Sequence, residues 1–367
     1  MNLFYTHDLV LTKQDTDVLL RTYCLSIIQS TGSVKQFFDK RRNTFLRCTH
    51  TNEEEGQGGN IVASWRTDLA LEARESFEED DVEISGVVLR KEAGKTSFTR
   101  VTTVEILDEH GAKAMRKPRG NYITIEIPEL LKEEELCQEA AAEEIAAWLG
   151  HLLKEKKKDR ILIVGLGNRD ITADALGPMV VDEVIVTRHY FREFGSDFGK
   201  KHGYRNVSAF APGVMAQTGM ETMETIRGIV SEVRPDVVLA IDALAAKSVH
   251  RLNTTIQLTD TGICPGAGIG NNRQALNEES LGCPVIALGV PTVVDAATIV
   301  REGIERFAHQ KKLAQQAEQF LDRARDAFMD NMFVTPKNID CSVRYVSETV
   351  AEGINRWMKE NRKEEPI

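Results

Sequence analysis

Most of the signatures by which an intracellular activity is read are missing from this sequence. Its six cysteines (Cys24, Cys48, Cys137, Cys264, Cys283, Cys341) form no CxxC pair. Neither a cysteine metal site nor a disulfide framework is therefore expected, and a reducing compartment fits. No apolar run approaches the ~20 residues of a membrane span. The first residues include Asp8 and lack a basic start followed by a long apolar core, which argues against a secretory signal. Positive charge is outnumbered: 46 Lys and Arg stand against 56 Asp and Glu, for a formal charge of -10. A field of that sign disfavours general nucleic-acid binding and attracts basic partners. No Gly-x-Ser-x-Gly elbow is present, and His189 and His250 have no companions at metal-ligand spacing. The expectation is a soluble cytoplasmic protein with no membrane and no direct nucleic-acid partner. At 367 residues it is long enough for one large core or two modest ones.

Two familiar glycine motifs are also incomplete. The turn Gly165-Leu166-Gly167-Asn168 follows an apolar run, yet Asp170 stands where a dinucleotide fingerprint needs its third glycine. A carboxylate there would repel a pyrophosphate, so Gly165 and Gly167 read instead as a tight turn with close backbone approach. The loop Cys264 to Arg273 carries Gly266, Gly268 and Gly270 but lacks the Gly-Lys-Ser/Thr ending of a P-loop. It reads as an active-site loop.

What is present is an alternating pattern of strands and helices. Residues 1–68 differ in composition from the rest, with a basic cluster (Lys40, Arg41, Arg42) and the polar run HTNEEEGQGGN. They read as an N-terminal extension, part of which an over-long reading frame would also explain. Within the remainder, 69–367, residues 69–130 suggest an antiparallel β meander: ISGVVLRK, SFTRVTTVEILD and GNYITIEI, with turns at AGKT and EHGA. Residues 131–367 suggest the α/β core. A long helix over Leu131 to Lys154 leads into strands at Ile161 to Gly167, at VSAFAPGV, at Val237 to Asp242, at NTTIQLTD and at PVIALGVPTVVD. Helices are expected over Pro178 to Phe191, Met220 to Val233, from Ala296, over Lys311 to Met332 and over Ser347 to Lys359. The fold class is α/β, phosphorylase/hydrolase-like, with a mainly parallel central sheet and helices on both faces.

Two aspartates stand out because each follows a β-branched strand of the kind that fills a parallel sheet. Asp174 lies in TADALGP after the first strand, and Asp242 in AIDALAA after the third. Alone, each reads as a helix or turn cap. Together, at the carboxyl ends of neighbouring strands and each inside an Asp-Ala-Leu triplet, they suit a shared site. Two adjacent carboxylates resist ionising together, so one keeps a proton to polarise a carbonyl while the other activates water. Holding one metal is the alternative use of the same pair. Asp295, ending a later strand, is a third candidate acid or a helix cap.

These blocks resemble a known family. RTDLALEA, GNYITIEI, VGLGN, TADALGP, TRHYF, APGVMAQTGMET, AIDALAAKS, TTIQLTDTGICPGAGIGN, GVPTVVDA and FVTPK are similar to the germination protease family of endospore-forming bacteria, from about Arg66 onward. The resemblance implies an atypical aspartic-type endopeptidase of the spore core that degrades small acid-soluble spore proteins. It also implies a homotetrameric zymogen, no cofactor, and a fold similar to that of hydrogenase maturation peptidases. The family's two functional aspartates correspond to Asp174 and Asp242, and its Gly-Leu-Gly-Asn turn to Gly165 to Asn168. Those maturation peptidases bind a metal with help from a histidine; none lies in Val285 to Asp295, so a metal-free pair is expected. Family members cut off their own N-terminal segment at a site resembling their substrate sites. Asp68-Leu69-Ala70-Leu71-Glu72 matches that pattern, and the Asp68–Leu69 bond is expected to be cut. Asp68 as a helix N-cap is the rival reading. Lys247 and Arg273 are candidates for reading acidic substrate positions. Besides the metal-free endopeptidase, a metallopeptidase using the same acids and a non-catalytic spore-protein binding module stay open.

Overall fold

The computed structural model describes residues 36–39, 44–47, 67–75, 84–132, 135–153, 159–264, 274–311 and 332–359, with backbone only for 36–39, 44–47 and 305–311. The chain divides into two units, Met1–Ser64 and Trp65–Ile367. In the first unit the described residues form a hairpin of β1 (Gln36–Asp39) and β2 (Thr44–Arg47). No described helix is long and apolar enough to cross a membrane.

In the second unit, α1 (Ala70–Glu75) precedes β3 (Val87–Ala93), β4 (Arg100–Ile106), α2 (Glu109–Met115) and β5 (Gly120–Glu126). The long α3 (Glu135–Leu152) leads to β6 (Arg160–Gly165) and α4 (Leu176–Glu183). Then come α5 (Arg188–Phe194), α6 (Asp197–His202), β7 (Asn206–Phe210), α7 (Met215–Thr218) and α8 (Thr222–Val233). The rest is β8 (Val237–Ala246), β9 (Thr255–Thr259), α9 (Glu278–Leu281), β10 (Val285–Asp295), α10 (Ala296–Lys311), β11 (Phe333–Val334) and α11 (Ile339–Met358).

The described strands of this unit join one nine-stranded sheet in the order β3-β4-β5-β9-β10-β8-β6-β7, with β11 beside β10. The α/β class and the flanking helices are as expected. The parallel part spans β10, β8, β6 and β7, and the expected meander is its antiparallel continuation, joined through β9. Alternation along the strands sorts the core into two faces. Ile161, Ile163, Leu239 and Ile241 face α3, α4 and α11, whose Ile145, Leu176, Val180, Val346 and Val350 are fully buried against them. Leu162, Val164, Val238 and Ala240 face the other way, under Met223, Ile226 and Val230 of α8. Burying each such side chain contributes about 1.5–3 kcal/mol.

Several local readings change. The EHGA segment is a helix, α2, not a turn: Asp108 accepts from Gly111 N at 2.8 Å as an N-cap, and Arg116 closes the helix in the left-handed region. The helix expected over Pro178 to Phe191 is two, because Val184 turns extended and Thr187 N instead donates to Val207 O of β7. The strand expected to end at Asp242 runs on to Ala246, so Asp242 lies within β8. The helix expected over Ser347 to Lys359 begins at Ile339. Most of the helix expected over Lys311 to Met332 lies outside the described residues.

Candidate active site

Asp242 sits where β8 outruns its neighbour. The pairing of β6 with β8 stops at Gly165 opposite Ile241, and Leu166 N donates the last bond to Ile241 O at 2.8 Å. Beyond that point one edge of β8 is open. Its other edge stays paired with β10, where Gly289 stands opposite Asp242. Asp242 is buried and accepts from Ala243 N at 3.0 Å.

Asp174 arrives from β6 through a tight turn ending in a 3-10 helix, Thr172–Asp174. Asn168 N donates to its carboxylate at 2.8 Å and to its carbonyl at 3.0 Å. Gly167 makes this possible: its φ is 114°, and a Cβ there would lie 2.0 Å from Asp174 O. Thr292 of β10 anchors the turn by donating to Ala173 O at 2.6 Å. Helix α4 starts after Ala175 with no side-chain cap, so Asp174 is not its N-cap.

Both aspartates line one cavity of about 440 Å³. Its floor is the sheet face carrying Asp242, Gly289 and Gln257, which stand in one register row across β8, β10 and β9. At about 4.8 Å per strand, Gln257 and Asp242 are about 10 Å apart along that row. Gly289 brings no side chain of its own between them, and the Leu244 side chain packs over it, 2.5 Å from where a Cβ would stand.

Asp68 of the expected processing site lines the same cavity. Asp68 N donates to Ala245 O at 3.1 Å, and Asp68 Oδ2 accepts from Ala245 N at 2.8 Å, so the segment docks on the open edge of β8. Asp68 is therefore bound to β8 through its backbone N–H and its Oδ2. The Asp68 carbonyl accepts from Lys117 Nζ at 2.9 Å and Gln257 Nε2 at 3.1 Å. Leu69 is fully buried with Leu244, Ala246 and Ile263. Ala70 N donates to Gln257 Oε1 at 2.7 Å. Glu72, also buried, accepts from Lys247 N at 2.7 Å and Ser248 N at 3.1 Å, and pairs with Arg251 at 3.2 Å.

The charges here are tuned by burial. Burial lowers Lys117 below the ordinary lysine range, partly offset by Asp68 and Glu72. Burial pushes Tyr122 up to about 12, opposed by a hydrogen bond with Thr261 and reinforced by Asp260. It donates to Pro118 O at 2.8 Å. Burial also raises Cys264, with help from Asp68. Burial works against the charge of Arg251, but Glu75, Glu72 and Glu126 together raise it above its usual value.

Of the remaining predicted residues, Gly165, Gly167 and Asn168 build the turn that positions Asp174. Asn168 Oδ1 also accepts from Gln217 Nε2 at 2.8 Å. Asp295 caps α10, accepting from Ala297 N at 2.8 Å, and does not line the cavity. Gly268 and Arg273 lie outside the described residues. Lys247 meets the acidic position Glu72 through its backbone N–H. Among the described residues, no group of three His, Cys, Asp or Glu could hold a metal ion. Sequence reading missed Lys117 and Gln257. Alternation in TIQLT marks Gln257 as facing away from Ile256 and Leu258; nothing in MRKPRG marks Lys117 as buried.

Fold and site together define an α/β protein with a carboxylate-bearing cavity that holds a stretch of polypeptide. The profile of the germination protease family matches residues 64–328. The germination protease of Caldanaerobacter subterraneus subsp. tengcongensis is 44% identical over 313 residues, covering 80% of this chain and 94% of that protein. That of Clostridium tetani is 41% identical over 309 residues (80% and 94%), and that of Bacillus cytotoxicus 38% over 346 (79% and 92%). A solved NiFe hydrogenase maturation protease, HycI of Thermococcus kodakarensis, is 16% identical and covers 48% of this chain and 97% of its own, with a TM-score of 0.27. The chain belongs to the germination protease family and is a peptidase.

Proposed function

We propose that this peptidase is a precursor that cuts its own Asp68–Leu69 bond with water activated by Asp174 and Asp242. The observation that carries this reading is that Asp68, docked on β8, lines the same cavity as those aspartates. One aspartate, ionised, takes a proton from water as the oxygen attacks the Asp68 carbonyl carbon. The other, protonated by virtue of its neighbour's charge, supplies a proton to the departing nitrogen of Leu69. The C–N bond breaks, leaving a carboxylate at Asp68 and an amine at Leu69.

Once cut, the enzyme acts in trans on small acid-soluble spore proteins in the spore core, as a homotetramer. Support for these points is the family membership, together with an acidic-apolar-Ala-x-Glu stretch docked along β8, its Asp68 lining the cavity. The test is a mass-spectrometric cut map of the full chain, alone and with a small acid-soluble spore protein, chelator present. The expected result is a new N-terminus at Leu69 and matching cuts in the spore protein. Cutting abolished by chelator and restored by one divalent ion would move the mechanism to a metal. Absence of any cut by folded protein would move it to a binding module. Sedimentation of the same sample reads the oligomeric state.

A further inference from the structure

The groups that hold the Asp68 carbonyl have a chemical meaning beyond docking. We infer that Lys117 and Gln257 are further catalytic residues, forming the oxyanion site for peptide hydrolysis. The inference rests on the reading that Asp68–Leu69 is the bond cut.

The carbonyl oxygen of Asp68 accepts from two side chains at once, Lys117 Nζ at 2.9 Å and Gln257 Nε2 at 3.1 Å. As water attacks, the carbonyl π electrons move onto that oxygen, and the charge that develops lies against a half-buried cation and an amide donor. Preorganised donors in a site with little water stabilise such charge far more than solvent does. When the intermediate collapses, the electrons return to the carbonyl and the bond to Leu69 N breaks.

Three features make the pair more than a chance contact. Lys117 is half-buried with its Nζ turned onto the Asp68 carbonyl at 2.9 Å, and desolvation lowers its pKa. Gln257 is oriented by its second contact: Oε1 accepts from Ala70 N at 2.7 Å, so its Nε2 is committed to the carbonyl. The two donors also come from the antiparallel half of the sheet, opposite the strands that deliver the aspartates. Gln257 and Asp242 share a register row with only Gly289 between them, where a Cβ would meet Leu244 at 2.5 Å. The carbonyl is thus gripped by two donors in the cavity that both aspartates also line.

The experiment follows the first-order appearance of the Leu69 N-terminus in the full chain, for wild type, Lys117→Met, Lys117→Arg and Gln257→Leu. Thermal midpoints are measured alongside. Lys117→Met keeps length and apolar stem, so folding is expected to survive; Gln257→Leu serves if it does not. Loss of one oxyanion donor slows cutting by about 10²- to 10³-fold. Lys117→Arg, which keeps a cationic donor, is expected to recover part of the rate and to lose the alkaline fall that wild type shows as Lys117 deprotonates. A purely structural lysine predicts neither effect. Wild type that cuts at 68–69 while folded Lys117→Met and Gln257→Leu cut equally fast overturns the oxyanion site and leaves the processing reading intact. Wild type that cuts elsewhere, or nowhere, removes the reading beneath it.

Discussion

Gly165 and Gly177 meet backbone to backbone: a Cβ on Gly165 would lie 2.2 Å from Gly177 O. A Cβ on Gly177 would lie 2.3 Å from Leu166 O and 2.7 Å from Ile241 O. This contact presses α4 onto the ends of β6 and β8, setting Asp174 over the strand that carries Asp242.

Gly177→Ala therefore forces α4 outward. It should cost about 1–3 kcal/mol as overpacking and slow cutting further by displacing Asp174. Urea unfolding at neutral pH measures the first effect. An unchanged midpoint would mean the helix shifts freely, and the close contact would then have no structural weight.

The aspartates themselves are tested by Asp174→Asn and Asp242→Asn. Each removes ionisable charge and little volume. Each is expected to lose at least about 10³-fold in cutting, and the double variant scarcely more, because the two act as a unit. A protein that only binds would tolerate both, which affinity for a spore protein and the cut map distinguish.

Arg251 bridges Glu72 at 3.2 Å, Glu75 at 2.8 Å and Glu126 at 3.2 Å, tying α1 to β5. Arg251→Ala strands the buried Glu72 carboxylate, for a loss of about 2–4 kcal/mol. The loss should be local, so amide exchange across 69–75 should accelerate well before the sheet does. Uniform exchange would show that the clamp serves the whole fold.

Lys117 gives stability a pH dependence of known sign. Its folded pKa is lowered, so between that value and the ordinary 10.5 the unfolded chain holds more protons than the folded one. Stability then rises with pH through this window, as the penalty of burying the ammonium is removed. Lys117→Met should flatten that slope and raise stability below it. Denaturant midpoints across the alkaline range check the sign; a wild-type slope matching that of the variant would assign it to other groups.

Much of this was legible in one dimension because the strands are buried on both faces. ILIVG and VVLAID could hardly be anything but central strands, and the aspartates that follow them inherit their position. The join between meander and core was not legible. TTIQLT reads as a strand, but nothing local says that it runs antiparallel between β5 and β10 and so fuses two regions into one sheet. Lys117 fails for a related reason: between Arg116 and Pro118 it reads as a solvated turn, and only the approach of Asp68 and Gln257 buries it. The EHGA helix was hidden by its glycine, which Asp108 caps and which packs where a Cβ would meet Gly86 O at 2.4 Å.

The apolar seat of Leu69 would make the proposed cut self-ejecting. While the chain is whole, Leu69 N is a neutral amide donating to Thr67 Oγ1 at 3.0 Å, and its side chain rests fully buried among Leu244, Ala246 and Ile263. The proposed hydrolysis would turn that nitrogen into an ammonium beside the apolar seat of Leu69, a charge such a seat does not tolerate, while the new Asp68 carboxylate would face Lys117. The proposed cut would thus weaken the hold that positioned Leu69 and free its seat for another polypeptide. Faster amide exchange over 69–75 in cut than in uncut protein is the expected trace of this turnover by repulsion; equal exchange would mean the new terminus stays and the groove remains blocked.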